Sequence, residues 1–99
     1  MGTFSLTVLA KADLRNIAGY TEKTWGRTQR KQYFKEMDVT FKALANSPQL
    51  GAACDHIDEG LRRHPFQSHI IYYEKSDKAS IQIVRVLYKS MDAKGVSFS

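Results

Sequence analysis

The sequence predicts an α+β domain: an N-terminal strand, an antiparallel helical hairpin, then a three- to four-stranded, mainly antiparallel sheet with the helices packed on one face. Three observations predict it. Phe4 to Leu9 alternates apolar and polar side chains, residues 11–46 carry apolar side chains at helical spacing, and the chain from Ser68 onward is rich in Ile, Val and Tyr. A strand, two helices and a run of strands, in that order, form a sheet with its helices segregated to one side.

The elements follow in order. FSLTVL puts Phe4, Leu6 and Val8 on one face and Ser5 and Thr7 on the other, the pattern of a half-buried strand. In KADLRNIAGYTEKTWG, Leu14, Ile17, Ala18, Thr21 and Trp25 recur at helical spacing. Asp13 falls in the first turn, where a negative charge suits the helix dipole. Trp25, the only tryptophan, is expected to pack where the chain reverses at Gly26. A second helix spans Arg27 to Asn46 with Tyr33, Phe34, Met37, Phe41, Leu44 and Ala45 on one stripe, and Pro48 stops it. The connection is so short that the two helices must run antiparallel, stripe against stripe, with the remainder facing a sheet.

Beyond Pro48, Cys54 to Ile57 is a short strand candidate and Gly60 marks a turn. Leu61 to Phe66 is a basic strand that Pro65 confines to an edge or a bulge. Ser68 to Lys75 is strongly β-prone, residues 76–79 make a hairpin loop, and Ser80 to Lys89 is apolar on both faces, hence central in the sheet.

Length and composition bound the function. Ninety-nine residues, 42% hydrophobic, fit one folded domain over residues 1–99. No apolar run is long enough to cross a membrane, and MGTFSLTVLAKADL lacks the basic-then-apolar pattern of a signal peptide. One cysteine, Cys54, forms no internal disulfide, so a cytoplasmic location is expected. A net charge of +5 points to an acidic partner, either a nucleic acid or an acidic protein. No P-loop, GxGxxG, CxxC or HExxH is present, and His56, His64 and His69 have no metal-ligand spacing, so no cofactor and no metal are expected. Asp55, Asp58 and Glu59 cluster about a turn, either as an acid/base pair or as solvated, locally capping carboxylates.

The basic residues Arg62, Arg63, His64, Arg85 and Lys89 lie on strands or at their ends. Strict alternation puts Arg85 on the face of Ile83 and Leu87, with Lys89 following on that side. A charge between Val84 and Val86 must reach solvent or a partner. Either Arg85 pairs with Glu74 or Asp55 and stabilises the sheet, or it belongs to a docking surface.

Four stretches, LTVLAKADLRNIAGYTEKTWG, FKALANSPQLG, LRRHPFQSHIIYYE and IVRVLYKSMD, stand in register from Phe4 to Asp92. Together they resemble the ParE toxins of bacterial type II toxin–antitoxin systems, within the wider RelE/ParE superfamily. The resemblance implies a toxin that inhibits DNA gyrase by binding, with no catalytic residue. It implies a cognate ParD-like antitoxin whose C-terminal segment wraps the toxin, and contact with operator DNA only through the antitoxin complex. No membrane is involved. On this reading Arg62, Arg63, Arg85 and Lys89, with the C-terminal segment, form the target-binding surface. Leu14, Ile17, Phe34 and Met37 border an apolar antitoxin-binding groove. The alternative within the superfamily is a RelE-like ribosome-dependent mRNA endonuclease, for which Arg62, Arg85 and Tyr88 stand at plausible places. A plain nucleic-acid-binding module is a third reading, disfavoured by the modest charge and the missing recognition helix.

Overall fold

The computed structural model describes residues 2–77, 79–91 and 93–98, with Lys94 by its backbone alone. Lys78 of the expected loop 76–79, and Asp92 at the end of the family resemblance, lie outside the described residues. The chain runs β1 (Phe4–Leu6), α1 (Val8–Trp25), α2 (Arg27–Asn46), a 3₁₀ turn (Pro48–Leu50), β2 (Ala52–Ala53), β3 (Arg62–Phe66), β4 (His69–Lys75), β5 (Ile81–Tyr88) and a second 3₁₀ turn (Ala93–Gly95). The sheet order is β1-β5-β4-β3-β2, with β1 parallel to β5 and every other pair antiparallel. The expected α+β architecture is the observed one, with β5 an interior strand between β1 and β4 and the strands after the hairpin forming an antiparallel set.

The first strand is shorter than alternation suggests because Thr7 ends it. Thr7 Oγ1 accepts from Ala10 N–H at 3.1 Å and donates to the Val84 carbonyl at 2.9 Å, while Thr7 N–H donates to the Ile83 carbonyl at 3.1 Å. One residue therefore closes the parallel pairing with β5 and caps α1. Val8, expected on the buried face of a strand, is the first helical residue and is exposed. Asp13 moves from the first helical turn to the second.

The helices meet as predicted. Gly26, at φ 93°, serves both as the C-cap of α1 and the N-cap of α2. Its N–H donates to the Glu22 carbonyl at 2.9 Å and its carbonyl accepts from Arg30 at 3.1 Å. A side chain is strained at that φ, so glycine permits a one-residue reversal. Trp25 does not pack there: the residue is 70% exposed. The hairpin is zipped by smaller side chains, and the reversal leaves Trp25 on the outside of the tip.

Ala10, Ile17, Tyr33, Met37, Phe41, Leu44 and Ala45 from the helices pack on Phe66, Ile71, Tyr73, Ile81, Ile83 and Val86 from the sheet. The sheet's other face carries a second cluster, Tyr72, Val84 and Leu87 with Cys54 and Leu61, overlaid by Ile57, Ala93, Val96 and Phe98. Both faces are thus covered, the physical reason β5 reads as apolar on each side. The strand expected at Cys54–Ile57 is instead Ala52–Ala53. The chain after Cys54 turns, with Ile57 N–H donating back to the Cys54 carbonyl at 2.9 Å, and Gly60 N–H donating to Asp55 Oδ1 at 2.8 Å. That bond is the local capping role for Asp55.

Gly51 is a close-approach glycine. Its N–H donates to Tyr73 Oη at 2.7 Å, and a Cβ there would stand 2.3 Å from that oxygen. The same hydroxyl donates to the Pro48 carbonyl at 2.7 Å, tying the segment after α2 to β4.

Candidate docking surfaces

A bulge decides where Arg85 points. Tyr72 pairs with Arg85 and Tyr73 with Ile83, so Val84 is the extra residue. Ile81, Ile83 and Val86 face the helices, whereas Val84 and Leu87 face the opposite side. Arg85 therefore does not share a face with Ile83 as alternation implies. It lies on the side of Tyr72, its cross-strand partner, and Tyr72 in turn pairs with Arg63.

The Arg85 guanidinium is engaged on two edges. Nε and Nη2 donate to Asp13 Oδ2 and Oδ1 at 2.7 and 2.8 Å, and Nη1 donates to the Ser97 carbonyl at 2.6 Å. Asp13 Oδ2 also accepts the Val86 N–H at 3.0 Å. Because β1 ends at Leu6, β5 beyond Ile83 has no strand on its β1 side, and the Asp13 carboxylate supplies the missing acceptor there. The two side chains are 11% and 14% exposed, and the hydrogen bond to Asp13 raises the Arg85 pKa further above its ordinary value. The partners weighed from sequence are occupied elsewhere: Glu74 accepts from Gln82 and Asp55 from Gly60. Arg85 is a sheet anchor held by Asp13.

The other three basic residues do not all share its face. Arg62 pairs with Tyr73, on the helix side of β3, and its Nη1 donates to the Gly51 carbonyl at 2.5 Å. Arg63 points to the opposite side, exposed, next to the Tyr72 hydroxyl. Lys89 is exposed beyond the end of β5, its backbone N–H donating to the Ser68 carbonyl at 2.9 Å. Consecutive strand residues face opposite ways, so Arg62 is turned from Arg63, whereas Arg63 and Arg85 share the tail side of the sheet across Tyr72. Arg63 and Lys89 are the exposed members of the set.

The groove residues divide similarly. Ile17 and Met37 are 3% and 1% exposed, inside the helix–sheet core, and are not available to a partner. Leu14 and Phe34 are half-buried against that core. Phe34 and Ala18 floor a shallow groove on the outside of the hairpin, rimmed by Arg30, Lys31 and Lys35. An apolar floor with a cationic rim matches an acidic, amphipathic segment.

A second constellation lies at the tip of the hairpin. The Tyr33 hydroxyl is hydrogen-bonded to His69 Nδ1. Burial, with the nearby Tyr88 and Glu36, pushes the Tyr33 pKa up to about 12, and burial pushes that of His69 below its ordinary value. Both groups are therefore neutral near pH 7. The phenol is the better donor and the imidazole nitrogen the better acceptor, so Tyr33 donates to Nδ1 and Nε2 carries the proton. That Nε2 is buried and has no hydrogen-bond partner among the described residues. Tyr88 stacks on the imidazole at 4.4 Å between centroids, and Tyr20 meets Tyr88 edge-on at 6.3 Å. Sequence reading singled out neither Tyr33 nor Tyr20 for a site, and the 36-residue separation of Tyr33 from His69 leaves no local signal. Among the described residues no group of three or more His, Cys, Asp or Glu could hold a metal ion. Cys54 is buried, its thiol pushed up by that burial.

A helical hairpin seated on a mixed sheet, with exposed cations and a basic-rimmed apolar groove, defines a small α+β domain. Comparison with known proteins identifies the family. The family model for the ParE toxin of the type II toxin–antitoxin system, parDE, matches residues 4–93. Toxin ParE1 of Caulobacter vibrioides is 34% identical over 94 residues, 95% of this chain and 96% of its own length. Toxin ParE1 of Mycobacterium tuberculosis is 35% identical over 89 residues, 90% of this chain and 91% of its own. A solved chain of the chromosomal ParDE TA system from P. aeruginosa superposes with a TM-score of 0.73 at 21% identity, covering 89% of this chain and 96% of that one, which shows the shared fold. The chain belongs to the ParE toxin family of type II toxin–antitoxin systems.

Proposed function

We propose that this ParE-family toxin acts in the cytoplasm by binding DNA gyrase and holding it in its DNA-cleaved state, and that a cognate ParD-like antitoxin neutralises it. Family membership across residues 4–93 carries the reading. The antitoxin segment lies along the outer face of the hairpin, its apolar side chains on Phe34 and Ala18 and its acidic ones against Arg30, Lys31 and Lys35. Leu14, half-buried, contributes to that surface through its exposed part, whereas Ile17 and Met37 support it from the core. Operator DNA is contacted through the antitoxin. Arg63 and Lys89 are the target-facing cations, and the tail is held in place by Arg85 through Ser97. A nuclease would need Arg85 at a phosphate; its engagement by Asp13 and Ser97 supports action by binding instead.

The test is a supercoiling and cleavage assay with purified gyrase, ATP and plasmid. Loss of supercoiling with accumulation of linear DNA is expected, and Arg63→Ala with Lys89→Ala is expected to weaken it. Undisturbed gyrase, together with mRNA cleavage on translating ribosomes, would replace this reading with the endonuclease one.

A further inference from the structure

Trp25, Tyr20 and Tyr88 stand 70%, 55% and 37% exposed, three aromatic rings that folding leaves at one end of the hairpin. They line one cleft of about 300 Å³ together with Thr21, Tyr33 and His69. Its rim carries Gln29, Gln67 and Ser68, and among the described residues no charged side chain lines it. Its floor includes the His69 imidazole, 4% exposed, whose Nε2 has no partner among the described residues. A buried donor without an acceptor is costly, and native structures rarely keep one without a use.

We propose that this cleft is a binding site for an unpaired nucleobase of a single-stranded nucleic acid. Three observations select that class. Exposed aromatic faces stack on bases of any sequence. A neutral lining with a buried N–H donor suits a ring carbonyl acceptor and not a phosphate, which would call for a cation in the pocket. The chain as a whole carries +5, and Lys89 follows directly after Tyr88 at the cleft, so a polyanionic backbone is attracted while its base enters. The base lies against Trp25 and Tyr20, and its carbonyl edge reaches Nε2 as the Tyr88 ring turns aside from the imidazole. Tyr33 holds His69 in the tautomer that donates. The inference does not depend on gyrase being the target.

Trp25 is the only tryptophan, so its fluorescence reports on this cleft alone. The full-length toxin is titrated, at one fixed salt concentration, with an oligothymidylate and with an abasic strand carrying the same number of phosphates. The thymidylate is expected to quench Trp25 and to bind at least about tenfold more tightly than the abasic strand. His69→Phe and Trp25→Ala, followed by anisotropy of the labelled strands, are each expected to reduce that preference to less than about threefold. Trp25→Ala alters an exposed residue and keeps the test open if the His69 variant fails to fold. Equal affinity for the two strands, no binding of either, or an unchanged preference in Trp25→Ala overturns the proposal. A Trp25 response to unstructured peptides alone also overturns it and assigns the cleft to a protein partner.

Discussion

Arg85 and His69 are both polar side chains set into the sheet, and they are treated in opposite ways. Arg85 sits on the tail side of β5 with each edge of its guanidinium matched: Asp13 on one, the Ser97 carbonyl on another. His69 sits on the helix side of β4, paired with Tyr88 in register, with Nδ1 matched by Tyr33 and Nε2 matched by none of the described residues. A fully satisfied buried polar group rigidifies the place it occupies, whereas a half-satisfied one leaves interaction energy for something else to supply. The first region is therefore read as architecture. The second is read as a site.

The largest expected effect breaks the architectural region. Asp13→Ala removes the acceptor for two guanidinium nitrogens and for the Val86 N–H at once. Removing one partner of a buried, hydrogen-bonded pair strands the other, a cost of about 3–5 kcal/mol. The loss is to be read as a lowered denaturation midpoint at pH 7. Asp13→Ala combined with Arg85→Met leaves no stranded charge and is expected to recover part of it. A single variant losing less than about 1 kcal/mol would mean the pair behaves as a surface bridge, and Arg85 would return to the docking surface.

The next effect sharpens the other side of the comparison. Burial lowers the His69 pKa in the folded chain below the ordinary 6.5 it keeps when unfolded. As pH falls through 6.5 the unfolded chain takes up a proton that the folded one refuses, so stability declines on the acid side of that value and is unaffected above it. Among the described residues the rings of Tyr33 and Tyr88 face the imidazole, and Tyr33, its pKa pushed up to about 12, stays neutral in that range and does not oppose the trend. Thermal midpoints from pH 7.5 to 5 should fall in the parent protein, and the part of that slope due to His69 should disappear in His69→Gln. The same slope in both proteins would mean that the imidazole takes up its proton within the fold.

Much of the fold was legible in the sequence. The hairpin was visible because its signals are local: a 3.6-residue stripe in each helix, a glycine between them, and Pro48 after the second. β4 and β5 were visible because their side chains are β-branched or aromatic. The site was less legible because its logic is non-local. Asp13 reaches Arg85 across 72 residues, and Tyr33 reaches His69 across 36. The bulge at Val84 has no composition signature, yet it alone carries Arg85 to the tail side. Thr7 was the one miss with a local cue. Threonine followed by a helical stripe is an N-cap signal, and it competes with the alternation that made Val8 look like strand. Ile17 and Met37 were offered to a partner because a stripe marks a buried face without saying what buries it; here the sheet does.

The smallest effect on stability separates the two regions most cleanly. Trp25 touches the cleft but not the core, so Trp25→Ala removes little buried surface, and its stability is expected to stay within about 0.5 kcal/mol of the parent. Large apolar side chains left this exposed at the rim of a concave site belong to binding, where tryptophan and tyrosine carry much of the energy. A fold that tolerates the loss, in a variant whose binding or toxicity falls, places the selective value of Trp25 outside the folded chain. A midpoint lowered by more than about 1.5 kcal/mol would instead make Trp25 part of the hairpin's packing, as its position at the chain reversal first implies. Asp13 should show the reverse pattern, with stability lost and no binding defect beyond what unfolding accounts for. Measured on both variants, the pair of readouts distinguishes an architectural polar anchor from a site left open at the hairpin tip.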